Sequence, residues 1–81
     1  MTINMERNRA GVYRIATNHS PLNLRAEPNS ASKIIAEIPK NGKVVHYGLY
    51  SGNWYHVQYL SRDTLLSGFA SNQYLKKEMA L

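Results

Sequence analysis

The chain has 81 residues, which is room for one small domain. It contains no cysteine, so a disulfide framework and a thiolate metal site are both excluded. Ten lysines and arginines against five acidic residues give a formal net charge of +5, a balance that favours an anionic partner.

The first half of the chain alternates polar turns with short apolar runs. Residues 1–10 are polar and lack the apolar core of a signal peptide, so we expect a flexible N-terminal arm or linker end. Tyr13 and Ile15 then share one face of a first strand. Leu22 and Leu24 alternate with polar residues in a second strand, which Pro28 ends because proline cannot donate to a sheet ladder.

The second half contains two β-rich runs, residues 43–48 and 54–60, that predict a hairpin around a loop at 49–53. A register in which paired residue numbers sum to 102 sorts the apolar residues onto one face. That register places Val45 opposite Val57 and Tyr47 opposite Tyr55 on the core face. It places His46 opposite His56 on the solvated face.

Together the runs predict five to six short antiparallel strands and no long helix, because no stretch has a 3.6-residue period. We expect a domain over residues 11–76, a C-terminal tail over 77–81 and a single 3₁₀ turn near 71–74. The predicted core consists of Tyr13, Ile15, Leu22, Leu24, Ile34, Ile38, Val45, Tyr47, Val57 and Leu75.

Several short motifs stand in the order of one known family. They are Leu22-Asn23-Leu24-Arg25-x-x-Pro28, Gly52-Asn53-Trp54-Tyr55-x-Val57, Gly68-Phe69-Ala70 and Tyr74-Leu75. Over residues 11–76 the chain resembles the bacterial SH3-like (SH3b) domains, although Phe69-Ala70 stands where the family usually has Trp-Val. The resemblance implies an all-β, partly open SH3-like barrel without catalysis. It also implies a binding role, most often attachment to bacterial cell-wall polymers beside a hydrolase domain.

The sequence offers little for catalysis or for a metal. The acidic residues form no spaced pair that suggests acid–base work, and neither a Gly-x-Ser-x-Gly elbow nor a phosphate-cradling loop is present. His46 and His56 alone are too few ligands for zinc, which requires three or four. We therefore expect no enzyme activity, no metal and no cofactor.

The candidate ligand site combines two aromatic residues with a polar loop. Loops that enter and leave the central hairpin of an SH3-like barrel gather at one side, so we expect the groove between residues 49–54 and 29–33. The expected ligand-binding residues are Tyr50, Asn53, Trp54, Lys33 and Asn29. Aromatic faces beside amides suit a glycan or a glycine-rich peptide. Two alternatives stay open: a bulge turns Trp54 inward, or Tyr50 packs on its own loop.

Three functions remain as hypotheses. The first is a module that binds cell-wall peptidoglycan or its attached polymers and targets a fused or associated hydrolase. The second is a stand-alone or phage-encoded adaptor that binds a protein. Nucleic acid is the weakest candidate, because the basic residues are scattered rather than striped. No apolar run approaches the ~18 residues of a membrane span, and the compartment depends on whether a hydrolase accompanies the domain.

Overall fold

The computed structural model of the chain describes residues 2–81, and strands are its main element. In chain order these are β1 (Asn4–Met5), β2 (Gly11–Ile15), β3 (Leu22–Arg25), β4 (Ile34–Ile38), β5 (Lys43–Ser51), β6 (Trp54–Ser61), β7 (Thr64–Ser71) and β8 (Leu75–Ala80). Two 3₁₀ turns span Arg7–Arg9 and Asn72–Tyr74. The prediction of a small all-β, SH3-like barrel with a 3₁₀ turn near 71–74 is confirmed, although the strands number eight within residues 2–81 rather than five or six.

All the strands pair antiparallel in one open sheet, in the order β4-β3-β7-β6-β5-β2-β8, with β1 added beside β5. The long β6–β7 hairpin forms its centre, where eight residue pairs run from Trp54↔Ser71 to Ser61↔Thr64. A single pair, Arg25↔Phe69, joins β3 to β7. The sheet therefore consists of a two-stranded flap, β3–β4, attached through one corner to a larger curved sheet.

The core lies inside this curved sheet. Its buried hydrophobic residues are Tyr13, Ile15, Leu22, Leu24, Ile38, Val44, Val57 and Ala70. Six of the predicted core residues are among them, and Leu75 packs partly buried against the cluster. Ile34, Val45 and Tyr47 were wrong as core residues: Ile34 is 44% and Tyr47 53% exposed, while Val45 is only half-buried.

The exposure of Ile34 follows from a bulge at the end of β3. Leu24 pairs with Ala36, but the register then shifts so that Arg25 pairs with Ile34. Directly paired residues share a face of the sheet. Because Arg25 points away from the core that Leu24 fills, its partner Ile34 also points outward.

The predicted β5–β6 register is wrong. Val45 pairs with Gln58 and His46 with Val57, so the paired residue numbers sum to 103 rather than 102. A register shift between His46 and Tyr50 then pairs Tyr50 with Tyr55. The connection is a two-residue turn, Gly52–Asn53, rather than a five-residue loop. A one-residue slip exchanges the two faces of a strand, so Val44 and His46 face the core.

Gly48 lies within the register shift between His46 and Tyr50, and its backbone explains why the ladder is irregular there. Its φ of +104° is one that L side chains rarely adopt. A Cβ there would lie 2.6 Å from the carbonyl oxygen of Glu6, and the Glu6 amide donates to the Gly48 carbonyl at 3.0 Å. The N-terminal segment thus docks directly on the irregular part of β5.

The segments expected to flank the domain belong to the sheet. Asn4 and Met5 pair with Tyr50 and Leu49 of β5. The C-terminal strand β8 pairs with β2 from Leu75 opposite Ile15 to Ala80 opposite Gly11, with one register shift at Glu78. Residues 4–5 and strand β8 as far as Ala80 thus pair with the sheet at the two ends where an arm and a tail were expected. Met1 lies outside the described residues.

Candidate functional site

A groove of about 420 Å³ opens where the flap meets the larger sheet. Its walls come from the turn after β2, from β3, from the loop between β3 and β4, and from the ends of β6, β7 and the second 3₁₀ turn. The lining residues are Thr17, Asn18, Ser20, Pro21, Leu22, Asn23, Arg25, Ser30, Trp54, Ser71 and Tyr74.

Trp54 and Tyr74 supply the aromatic surface of the groove. Trp54 is the first residue of β6, paired with Ser51 on one side and Ser71 on the other. The amide of Asn72 donates to the Asn53 carbonyl at 2.8 Å, and the amide of Ala16 donates to the Tyr74 carbonyl at 2.8 Å. The first bond holds the second 3₁₀ turn against the hairpin turn, and the second holds it against the end of β2. Both aromatic side chains remain partly exposed at the groove.

The opposite wall is a polar turn over residues 17–21. The Thr17 hydroxyl donates to the Ser20 carbonyl at 2.6 Å, which closes the turn. The Lys40 ammonium donates to the Asn18 carbonyl at 2.8 Å, so a cation lies at this rim. Asn23 reaches the groove because it alternates with the buried Leu22 and Leu24 on β3.

The loop between β3 and β4 closes the third side and is braced by Arg25. Its Nη1 donates to the Ser32 carbonyl at 2.8 Å. Within the loop the Asn29 side chain accepts from the Ala31 amide at 3.0 Å, and the Ser32 hydroxyl donates to the Glu27 carbonyl at 3.0 Å. Ser30 of this loop therefore lines the groove, while the Asn29 side chain forms a hydrogen bond within the loop.

Tyr50, expected as a groove wall, lies in a different environment. Its hydroxyl donates to the Glu6 carboxylate at 2.8 Å, and the Arg9 guanidinium lies over its ring at 3.9 Å from the centroid. The Arg9 Nε also donates to Glu6 at 2.8 Å. Hydrogen bonds from Arg9 and Tyr50 lower the pKa of Glu6, and the bond to Glu6 raises the pKa of Tyr50.

Of the five expected ligand-binding residues, only Trp54 lines the groove. Asn53 forms the exposed hairpin turn and contributes its carbonyl to the 3₁₀ turn, while Lys33 and Asn29 are exposed on the loop. Sequence reasoning missed Tyr74 and Asn23 as site residues. Both lie within the motifs that carry the family resemblance, so a signal for them was present. Asn18 has no comparable signal, because only the fold brings its turn beside Trp54.

The predicted solvated pair of histidines is wrong. His46 is fully buried, with its ring stacked on Tyr55 at 4.0 Å between centroids, and its Nδ1 donates to the His56 carbonyl at 2.8 Å. His56 lies on the other face against Phe69. Burial lowers the pKa of His46. The buried Nε2 of His46 has no hydrogen-bond partner among the described residues. Because the His56 carbonyl can only accept, the bond to it places a proton on Nδ1.

The groove offers stacking surfaces and hydrogen-bonding groups but few titratable ones. Its lining includes hydroxyls, amides, two aromatic rings and one guanidinium, without a carboxylate, imidazole or lysine. Such a surface can hold an extended polar ligand. Across residues 2–81, no cluster of three or more histidine, aspartate or glutamate side chains could hold a metal ion. In the same part of the chain, no helix is long and apolar enough to cross a membrane.

Comparison with protein families gives one match. The model of the bacterial SH3 domain family matches residues 20–76, more than two thirds of the chain. The match begins just before β3 and ends within β8, and it includes most of the groove lining. Comparison with curated proteins and with solved structures found no significant match.

Proposed function

The chain belongs to the bacterial SH3 domain family, and from that premise we propose that it is a non-catalytic module that binds bacterial cell-wall peptidoglycan or a polymer attached to it. In this proposal the domain targets a fused or associated cell-wall hydrolase. The coarser role, a binding domain, comes with the family. The finer role is supported by the chemistry of the groove.

The observation that carries the proposal is the placement of Trp54 and Tyr74 in one groove with hydroxyl and amide groups around them. Flat apolar ring faces stack on the C–H faces of sugars and on peptide planes, and tryptophan offers the largest such area at low entropic cost. Asn23 and Ser71 line the same groove, where they can satisfy the hydroxyls and amides of a glycan or a short peptide.

The test is co-sedimentation of the purified domain with bacterial sacculi. Trp54→Ala and Tyr74→Ala should each reduce the bound fraction, because each removes a stacking surface. Tyr47→Ala is the matched control, since Tyr47 is an exposed aromatic on β5 outside the groove. Circular dichroism and urea unfolding of every variant separate loss of binding from loss of fold.

Trp54 also gives a direct reporter, because it is the only tryptophan of the chain. Titration with soluble muropeptides should change its emission if the ligand stacks on it. Sacculus binding that survives both Trp54→Ala and Tyr74→Ala in folded protein would place the ligand elsewhere. Failure of the parent protein to bind sacculi at all would favour a protein partner instead.

A further inference from the structure

We propose that Arg25 makes the groove selective for a ligand that carries an oxyanion, a carboxylate or a phosphodiester, next to the part that stacks on Trp54. This inference rests on the proposed function and specifies the chemistry of its ligand. Arg25 is the only charged residue in the groove lining. Arg25 is half-buried, and the other residues of the lining carry hydroxyl, amide, aromatic or aliphatic side chains.

The bonding of Arg25 leaves most of its donors free for a ligand. A guanidinium carries five N–H donors. One nitrogen, Nη1, donates to the Ser32 carbonyl. Within residues 2–81 the guanidinium makes no other hydrogen bond. The bond holds the planar group in place, so its remaining donors are already oriented when a ligand arrives. A planar fork matches the two oxygens of a carboxylate or a phosphate.

Arg25 also forms no ion pair within the described chain. The ion pairs of residues 2–81 involve Glu6 and Glu78, which do not line the groove, and none involves Arg25. Glu27 is two residues away on the loop, and Glu37 lies opposite Asn23 on β4. Both glutamates are exposed and outside the groove lining. A half-buried cation without an anionic partner favours an anion from outside.

A second cation strengthens the same preference at the opposite rim. The Lys40 ammonium is fixed by its bond to the Asn18 carbonyl at 2.8 Å, beside the polar turn. As an exposed charge, Lys40 should act on the rate of association with an anionic polymer more than on affinity. Arg25, which is partly removed from water, should act on affinity.

The experiment measures the affinity of the parent protein, Arg25→Gln and Arg25→Lys for purified sacculi. Arg25→Gln should weaken binding about tenfold or more, the size expected for a lost charge-assisted hydrogen bond. Arg25→Lys keeps the charge but lacks the planar guanidinium, so its affinity should lie between those of the parent and Arg25→Gln. Arg7→Gln is the matched control, because it removes the same charge from an exposed site outside the groove and should stay within about twofold of the parent.

Two treatments of the sacculi identify the source of the oxyanion. Both use only the parent protein, so their result does not depend on how the variants fold. One arm strips the attached phosphodiester polymers, and the other converts free carboxyl groups to amides. Loss of binding in the first arm assigns the oxyanion to the attached polymer, and loss in the second assigns it to the peptide or glycan.

Unchanged parent affinity after both treatments would overturn the inference. A folded Arg25→Gln protein that binds like the parent, while Trp54→Ala does not bind, would also overturn the inference. That result would not contradict the proposed function. Failure of the parent protein to bind sacculi at all would instead refute the proposed function itself.

Discussion

Adjacent valines on β5 provide a sharp test of the strand's orientation. Val44 is 1% exposed and belongs to the core, whereas its neighbour Val45 is half-buried on the opposite face, paired with Gln58. Val44→Ala and Val45→Ala remove the same two methyl groups from the same strand. The loss of β-propensity is therefore common to both variants, and the difference between them reports burial.

The expected magnitudes follow from that burial. Removing two fully buried methyl groups costs about 1.6 kcal/mol in transfer free energy, and the cavity left behind raises the total to about 2–3 kcal/mol for Val44→Ala. Val45→Ala should cost about 1 kcal/mol or less, because part of its side chain stays in water. For an m-value of about 1 kcal/mol/M in urea, the midpoints should shift by about 2–3 M and about 1 M or less.

The assay is urea unfolding of both variants beside the parent, followed by circular dichroism and by the emission of Trp54. Coincident transitions from the two probes justify the two-state treatment. A larger loss for Val45→Ala than for Val44→Ala would refute the register described above. It would restore the alternative in which paired residue numbers sum to 102.

Three further outcomes are expected. Leu24→Ala should destabilise the protein by about 2–5 kcal/mol and Leu60→Ala by less than about 0.5 kcal/mol, because Leu24 is fully buried and Leu60 is 63% exposed; similar urea midpoints for the two would contradict this core. Gly48→Ala should cost more than Gly52→Ala in thermal unfolding, since both have positive φ but only a Cβ at Gly48 meets backbone, whereas nothing lies within 4 Å of one at Gly52. The free energy of unfolding should fall as pH drops below 6.5, because His46 is then protonated in the unfolded chain while burial keeps its pKa in the folded protein below that ordinary value. His46→Phe should flatten this pH dependence between pH 7 and 5. An unchanged slope would assign the dependence to another group.

Local patterns in the sequence determined the class of fold and much of its core. The alternation of Leu22 and Leu24 with polar residues identified β3 and its buried face, and the same reasoning placed Tyr13 and Ile15 correctly. A period of two is a property of neighbouring residues along one strand. It can therefore be interpreted before any partner strand is known.

The same rule failed where an irregularity interrupts the period. Nothing within Ile34–Ile38 reveals the shift opposite Arg25 that turns Ile34 outward. Within residues 43–60, Gly48 is a local sign of an irregularity, because a glycine inside a strand often marks a bulge. The segment that docks there, at Glu6, lies more than forty residues earlier, so the strand's own pattern does not show it. Hairpin arithmetic assumes an unbroken ladder, and one extra residue reverses every face beyond it.

The candidate site divides in the same way. The sequence by itself singled out Trp54, because a lone tryptophan after a glycine turn is a local feature, and it also carried the motifs that contain Arg25 and Tyr74. Only the tertiary structure decided which residues share a groove with Trp54. In the structure Tyr50 contacts Glu6 and Arg9 instead of the groove. Asn18, Asn23 and Tyr74, from three separate segments, line the groove with Trp54. A groove forms where elements distant in the chain meet, and that meeting depends on the packing of the whole sheet rather than on any one stretch of residues.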